Sequence, residues 1–310
     1  MRLLDPRGFL VIVPPLVRCL AAAVSPSRSM ASSSLRPPCA EVVLVPMFQD
    51  NYGHILIDRE TGTCACVDPA EPVPVISKVK ELGLDLKMLF ITHKHNDHVG
   101  GNAEFAKQYP GLQIYGTKYE PIPCITHPVG NGDEFTLGSL KVKTMYTPCH
   151  TSGHVVFYVT GREGSHPIIF TGYRFPCSIQ NIDHFSLAGD TLFRGGCGRF
   201  FEGTATQMLA NMDLFASLPE DTTIYCAHEY TESNYKFLAT VDQELCGDKY
   251  NEIREMRSRG LPTIPSTIGE ERSFNLFMRC HDPKTQKLVG AMGSPVETMG
   301  MLRKMKNDFR

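Results

Sequence analysis

The chain has no basic tract, and its formal net charge is −2 over 310 residues. Nothing therefore drives a general attraction to nucleic acid or to an anionic membrane surface. No apolar run is long enough to span a bilayer, since the stretch from Gly8 to Val17 is short and broken by Pro14-Pro15. A disulfide framework is missing as well. The 11 cysteines are odd in number and scattered, which reads as reduced thiols in an intracellular compartment, with Cys64 and Cys66 as core residues of a strand. No Ser-His-Asp set stands out. What remains is the composition of an ordinary globule, 42% hydrophobic and 21% charged, long enough to bury one sizeable core plus an appendage.

Against that plain background stands Thr92-His-Lys-His-Asn-Asp-His98, between the apolar run Met88–Ile91 and the pair Gly100-Gly101. Three imidazoles and a carboxylate at the end of a buried strand are ligands that suit zinc, manganese or iron. One short loop cannot wrap all four around a single ion without strain. It can aim His93 and His95 at one metal, and Asp97 and His98 at a second a few Å away. Two ions that close would share a bridging hydroxide, which is a hydrolytic arrangement. Further ligands are expected after later strand-like runs: His150 after Val142–Tyr146, Asp190 after Phe185-Ser-Leu-Ala-Gly, and His228 after Thr222–Ala227. Function collects at strand ends along one sheet edge in open α/β folds. Asp190 is the carboxylate chosen to bridge.

Thr-His-x-His-x-Asp-His, the His150 motif, Gly189-Asp-Thr-Leu-Phe and Cys226-Ala-His-Glu-Tyr-Thr resemble the metallo-β-lactamase superfamily. Within it, Gln49-Asp-Asn-Tyr, Cys197-Gly-Arg-Phe-Phe-Glu-Gly-Thr and Leu261-Pro-Thr-Ile-Pro-Ser-Thr-Ile-Gly-Glu-Glu resemble glyoxalase II, the hydroxyacylglutathione hydrolases. The resemblance implies an α/β fold, an αββα sandwich over residues 41–228 with a helical glutathione-binding domain over 229–310. It implies one metal on His93, His95 and His150, a second on Asp97, His98 and His228, and Asp190 between them, with Asp97 and Asp190 as catalytic carboxylates. Zinc is the first choice, with iron or manganese as alternatives. It implies hydrolysis of S-D-lactoylglutathione to D-lactate and glutathione in methylglyoxal detoxification. The thiolate leaves readily, so no strong general acid is needed. The expected partner is this small thioester, with no nucleic acid and no membrane, acting on a monomer. His154 is expected to orient a neighbour rather than to bind metal.

Glutathione carries two carboxylates, so its site should be basic. The resemblance points to Arg199, Phe201, Tyr230, Arg303 and Lys306 as substrate contacts. Arg303 and Lys306 are three apart and share a helix face. Two positions depart from the family: Arg199 stands where a Lys is usual, and Phe201 where a Tyr is usual. The second change removes one hydrogen bond, worth roughly 0.5–1.5 kcal/mol. The alternative within the superfamily is a mono-iron persulfide dioxygenase, against which the long tail with Arg303 and Lys306 argues.

Two segments stand apart. Residues 1–40 hold five arginines, one acid and a serine cluster, the composition of a transit peptide for a mitochondrion or other organelle. A start at Met30 would give a cytoplasmic form. Residues 173–189 separate Phe170-Thr-Gly172 from Asp190-Thr-Leu-Phe, which the family joins directly. This insertion reads either as a retained intron of in-frame length or as a surface loop, and it puts a catalytically impaired variant among the alternatives. Of the two runs competing for the strand before Asp190, Phe185–Gly189 is expected to occupy it, being covalently adjacent.

Strands are expected at Val42–Val45, His54–Ile57, Cys64–Val67, Met88–Ile91, Leu112–Tyr115, Leu140–Tyr146, Val155–Val159, Ile168–Phe170 and Thr222–Cys226. Helices are expected at Val75–Leu82, Asn102–Tyr109, Thr206–Ser217, Glu232–Val241 and Glu244–Arg259. Ser266 is expected to cap a helix carrying Glu270 and Glu271, and Ser294-Pro295 to open the last one.

Overall fold

Two six-stranded sheets lie face to face. The computed structural model describes residues 38–171 and 191–309. The first sheet runs β1 (Glu41–Met47), β2 (Asn51–Ile57), β3 (Thr63–Val67), β4 (Asp85–Ile91), β5 (Gln113–Thr117) and β6 (His127–Val129), in that order. It is antiparallel through β3 and parallel beyond. The second contains β7 (Glu134–Leu137), β8 (Leu140–Tyr146), β9 (Val155–Thr160) and β10 (Ile168–Phe170). After a small hairpin of β11 (Leu192–Phe193) and β12 (Gly196–Cys197), it continues with β13 (Thr223–Tyr225) and β14 (Ser266–Thr267). Its order is β14-β13-β10-β9-β8-β7.

The period-2 alternation of the strands builds the layers. Ala65 and Val67 of β3 enter the core between the sheets, while Cys64 and Cys66 turn outward. Phe90 of β4 meets Phe157 of β9 across that core, ring centroids 5.0 Å apart. The outer face of the first sheet packs on α1 (Pro72–Glu81) and α3 (Asn102–Gln108), with the one-turn α2 (Asn96–Val99) between them. Val156, Ile169 and Ile224 face the other way, onto α4 (Ala205–Ala216), α5 (Thr231–Val241) and α6 (Gln243–Ser258). The tail adds α7 (Ile268–Phe274), α8 (Pro283–Val289) and α9 (Pro295–Asp308). The result is the αββα sandwich with helices at its C-terminal end. Among the described residues, no helix is long and apolar enough to cross a membrane.

Three expectations need correction. The slot between β9 and β13 is filled by Ile168–Phe170, not by Phe185–Gly189. Ile168 and Phe170 fill the inter-sheet core and Ile169 the opposite face, so this run is buried on both sides. Thr267 rather than Ser266 caps α7, its Oγ1 accepting from Glu270 N at 3.1 Å, while both residues pair with β13 as β14. The tail, expected to be helical throughout, thus contributes a strand. Ser294 does cap α9, accepting from Glu297 N at 3.2 Å. Residues 1–37 and 172–190, with the transit-peptide reading, the insertion and Asp190, lie outside the described residues.

Candidate metal centre and substrate cleft

β4 lies between parallel neighbours, so the loop after Ile91 emerges at the open edge of the sandwich. Asp68, at the end of β3 with φ 45°, anchors it. Its carboxylate accepts from Thr92 N and Thr92 Oγ1, both at 2.8 Å, and lies 2.9 Å from His98 Nδ1. The Thr92 hydroxyl, having given its proton to Asp68, accepts from His93 Nδ1 at 3.0 Å. His150 Nδ1 donates to Arg199 O at 3.2 Å. These bonds fix the tautomers: His93, His98 and His150 each carry the proton on Nδ1 and a lone pair on Nε2. Sequence analysis missed Asp68; its signal was an acid ending a buried strand beside the histidine strand.

His93 Nε2 and His150 Nε2 each lie 3.0 Å from His95 Nδ1. One ligand atom from each ring falls within 4.8 Å of the others. Burial first, and neighbouring imidazoles second, hold His93 and His150 well below the usual histidine range, so both are neutral at pH 7. A single proton on His95 Nδ1 can satisfy only one of the two lone pairs that face it. A cation satisfies all three nitrogens, so this donor set fits a divalent metal, and imidazole suits zinc, iron or nickel.

Asp97 and His98 are buried on α2, with Asp97 Oδ2 3.9 Å from His98 Nε2. His228 follows β13, is fully buried, and stacks on Tyr230 with centroids 4.4 Å apart. It is close enough to His98 to help depress that ring's basicity, behind burial and His95. The structure thus brings His93, His95 and His150 to one point and sets Asp97, His98 and His228 around the same edge; Asp190 is not described. His154 contributes no nitrogen to the cluster. Its Nδ1 lies 2.9 Å from Thr147 Oγ1 and 3.3 Å from Thr191 Oγ1, the residue after Asp190.

Beside the histidines lies a cleft of about 380 Å³, lined among others by Arg199, Phe201, Gly300 and Arg303. The Phe201 ring links the two regions, its centroid 5.0 Å from His150 and 6.4 Å from His95. Arg303 is buried and partly occupied, donating to Cys197 O at 2.8 Å and Asn307 Oδ1 at 2.9 Å. Lys306 does not line the cleft; it donates to Ser233 O at 2.7 Å and Ser233 Oγ at 2.9 Å. Burial, then Arg303, Lys236 and Arg199, push its ammonium down to about 7. Burial holds Arg199 below the usual arginine range, an effect that nearby Tyr230 partly offsets.

Residues 55–172 match the metallo-beta-lactamase superfamily, and residues 229–309 the hydroxyacylglutathione hydrolase C-terminus. The fold is shared with a metallo-β-lactamase of Staphylococcus aureus subsp. aureus COL, at TM-score 0.55 and 20% identity over 86% of this chain and 71% of that one. ETHE1 from Myxococcus xanthus aligns at TM-score 0.52 and 20% identity, covering 84% and 98%. Fold and histidine cluster together define a metallo-β-lactamase-type protein. A cytoplasmic hydroxyacylglutathione hydrolase of Arabidopsis thaliana is 40% identical over 270 residues, covering 86% of this chain and 98% of the relative. One from Synechococcus sp. (strain JA-3-3Ab) is 41% identical over 276 residues, covering 86% and 99%. The chain belongs to the hydroxyacylglutathione hydrolase, or glyoxalase II, family.

Proposed function

We propose that this chain hydrolyses S-D-lactoylglutathione and related glutathione thioesters at a dinuclear site. His93, His95 and His150 would hold one ion, Asp97, His98 and His228 the other, and Asp190 both, with zinc the preferred metal. The observation that carries this reading is the convergence of three imidazole nitrogens at one point beside a cleft lined by arginine. Divalent ions held by these donors would supply hydroxide at neutral pH and Lewis acidity for the thioester carbonyl.

The chain's own contribution is placement. Asp68, Thr92 and the Arg199 carbonyl fix the protons of His98, His93 and His150 so that each lone pair faces inward. Arg199 and Arg303 put positive charge on the cleft that would take the peptide carboxylates. The Phe201 ring covers the near side of His150. The glutathione thiolate departs with its own charge, so no protonated side chain is required at the sulfur.

Metal analysis with a thioesterase assay on the chain from Glu41 onward tests this. Close to two transition metals per chain with thioester turnover is the expected result; a single iron with oxygen consumption overturns it in favour of a dioxygenase. We also propose a monomer, tested by sedimentation, and organelle import by residues 1–40, tested by fractionating cells that express the full chain against one begun at Met30. Residues 173–189 bear on turnover. The residues flanking the undescribed segment already meet, Thr171 Oγ1 donating to Leu192 O at 2.7 Å. Deleting 173–189 is therefore expected to preserve folding and to raise metal occupancy and kcat; loss of folding would make the segment integral to the protein.

A further inference from the structure

Lys94 sits between His93 and His95, and its contacts lead away from the histidine cluster. Its backbone N–H donates to Glu120 Oε1 at 2.7 Å, and its ammonium to Glu202 Oε1 at 2.6 Å. Glu120, buried after β5, also accepts from Thr151 Oγ1 at 3.2 Å and Gly153 N at 3.1 Å, in the loop that carries His150. The approach needs Gly153, since a Cβ there would stand 2.5 Å from Glu120 Cγ. Glu202 accepts from Ser152 N at 2.7 Å and directly follows Phe201. Two carboxylates and one lysine thus tie three loops together: the one bearing His93 and His95, the one bearing His150, and the one bearing Arg199 and Phe201.

The two halves of this arrangement differ. Glu120 takes backbone N–H groups of both histidine loops and has a side chain 2% exposed. Glu202 and the Lys94 ammonium are 34% and 29% exposed, and Glu202 holds the substrate-side loop. Lys94 thus joins Glu202, the neighbour of Phe201, to the backbone between two imidazoles. Building on the proposed function, we infer that Lys94, Glu120 and Glu202 form a clamp of positioning residues. In it Glu120 sets the spacing of the histidine loops, and the Lys94–Glu202 pair holds the substrate loop in register with them.

The test separates the two halves. Lys94→Met and Glu202→Ala each raise KM for S-D-lactoylglutathione about 3- to 10-fold with kcat within about two-fold, because the affected contacts lie on the non-reacting side. The double variant is no worse than the poorer single, as the two residues act through each other. Lys94→Arg, which keeps the donor, recovers most of the parent KM. Additive effects, or Arg failing where Met fails, overturn the pair.

Zinc titration reads the clamp without turnover. Glu120→Ala weakens zinc about 10-fold, Glu120→Gln less so, and Glu202→Ala, which frees one N–H of the His150 loop, less than Glu120→Ala. Equal zinc affinity in Glu120→Gln, Glu120→Ala and parent overturns the Glu120 half. A parent that binds zinc in this pattern yet leaves thioesters intact overturns the proposed function and not the clamp.

Discussion

His93, His98 and His150 are each held by a hydrogen bond at Nδ1, to Thr92, Asp68 or the Arg199 carbonyl, and all three rings are fully buried. Arg199 and Phe201 ride on a loop fastened by Lys94 and Glu202, both about a third exposed. Water and salt reach the second set of anchors and not the first. The metal side is therefore the less sensitive to ionic conditions, with the Arg199 carbonyl as its one tie to the more exposed loop, and variants on the two sides should fail in different ways.

The largest effect is expected from His95→Ala. His95 Nδ1 is the nitrogen that both other imidazoles approach, so its loss should empty the first metal position and lower kcat at least about 100-fold. Elemental analysis and turnover should fall together; full thioesterase activity would end the dinuclear reading. Asp68→Asn comes next. It keeps the shape but weakens the anchor of Thr92 and His98, and metal affinity should drop about 10- to 100-fold with little change in KM once the site is saturated.

On the other side, Arg303→Ala with Lys306→Ala should raise KM several-fold, about 3- to 10-fold, with a smaller change in kcat and a weaker dependence on salt than in the parent. Lys306 also predicts a pH dependence. Its ammonium is lost as pH rises through about 7, so kcat/KM for the anionic substrate should decline from pH 6 to 8, and Lys306→Arg should flatten that decline. The stability sign is opposite. The folded pKa lies below the usual lysine value of about 10.4, so between about pH 7 and 10 the unfolded chain holds the extra proton and stability rises with pH. Denaturant midpoints across that range check it. The smallest effect is Phe201→Tyr, which offers one hydrogen bond to the peptide and should lower KM about two- to ten-fold. A drop in metal content instead would place Phe201 on the metal side.

The αββα layering was legible because β9, β10 and the end of β4 are apolar runs rich in β-branched and aromatic residues, as strands buried on both faces are. The cluster of His93, His95 and His150 was legible because these imidazoles follow the strand-like runs of β4 and β8. β11, β12 and β14 were not, being two residues each, too short for any periodicity to register. β6 includes Pro128, a residue strands normally avoid. Asp68 was missed because its role depends on β3 and β4 lying side by side, and Glu120 because its partners are 26 to 33 positions away. Lys306 was expected to contact glutathione, but its ammonium is tethered to Ser233 near the start of α5, a contact spanning 73 positions.

β14 has a consequence for how this protein comes into being. Ser266 and Thr267 pair with Ile224 and Thr223 and form the outer margin of the sheet from which the His150 and His228 loops emerge. On the ribosome, β13 must wait for residues more than forty positions downstream before its free backbone groups are covered. Until then it is an open template for another chain. A premature stop or a protease cut after His228 would leave every metal-ligand candidate in place and still yield an adhesive, aggregation-prone fragment. Cellular quality control would then destroy the catalytic half along with the missing tail.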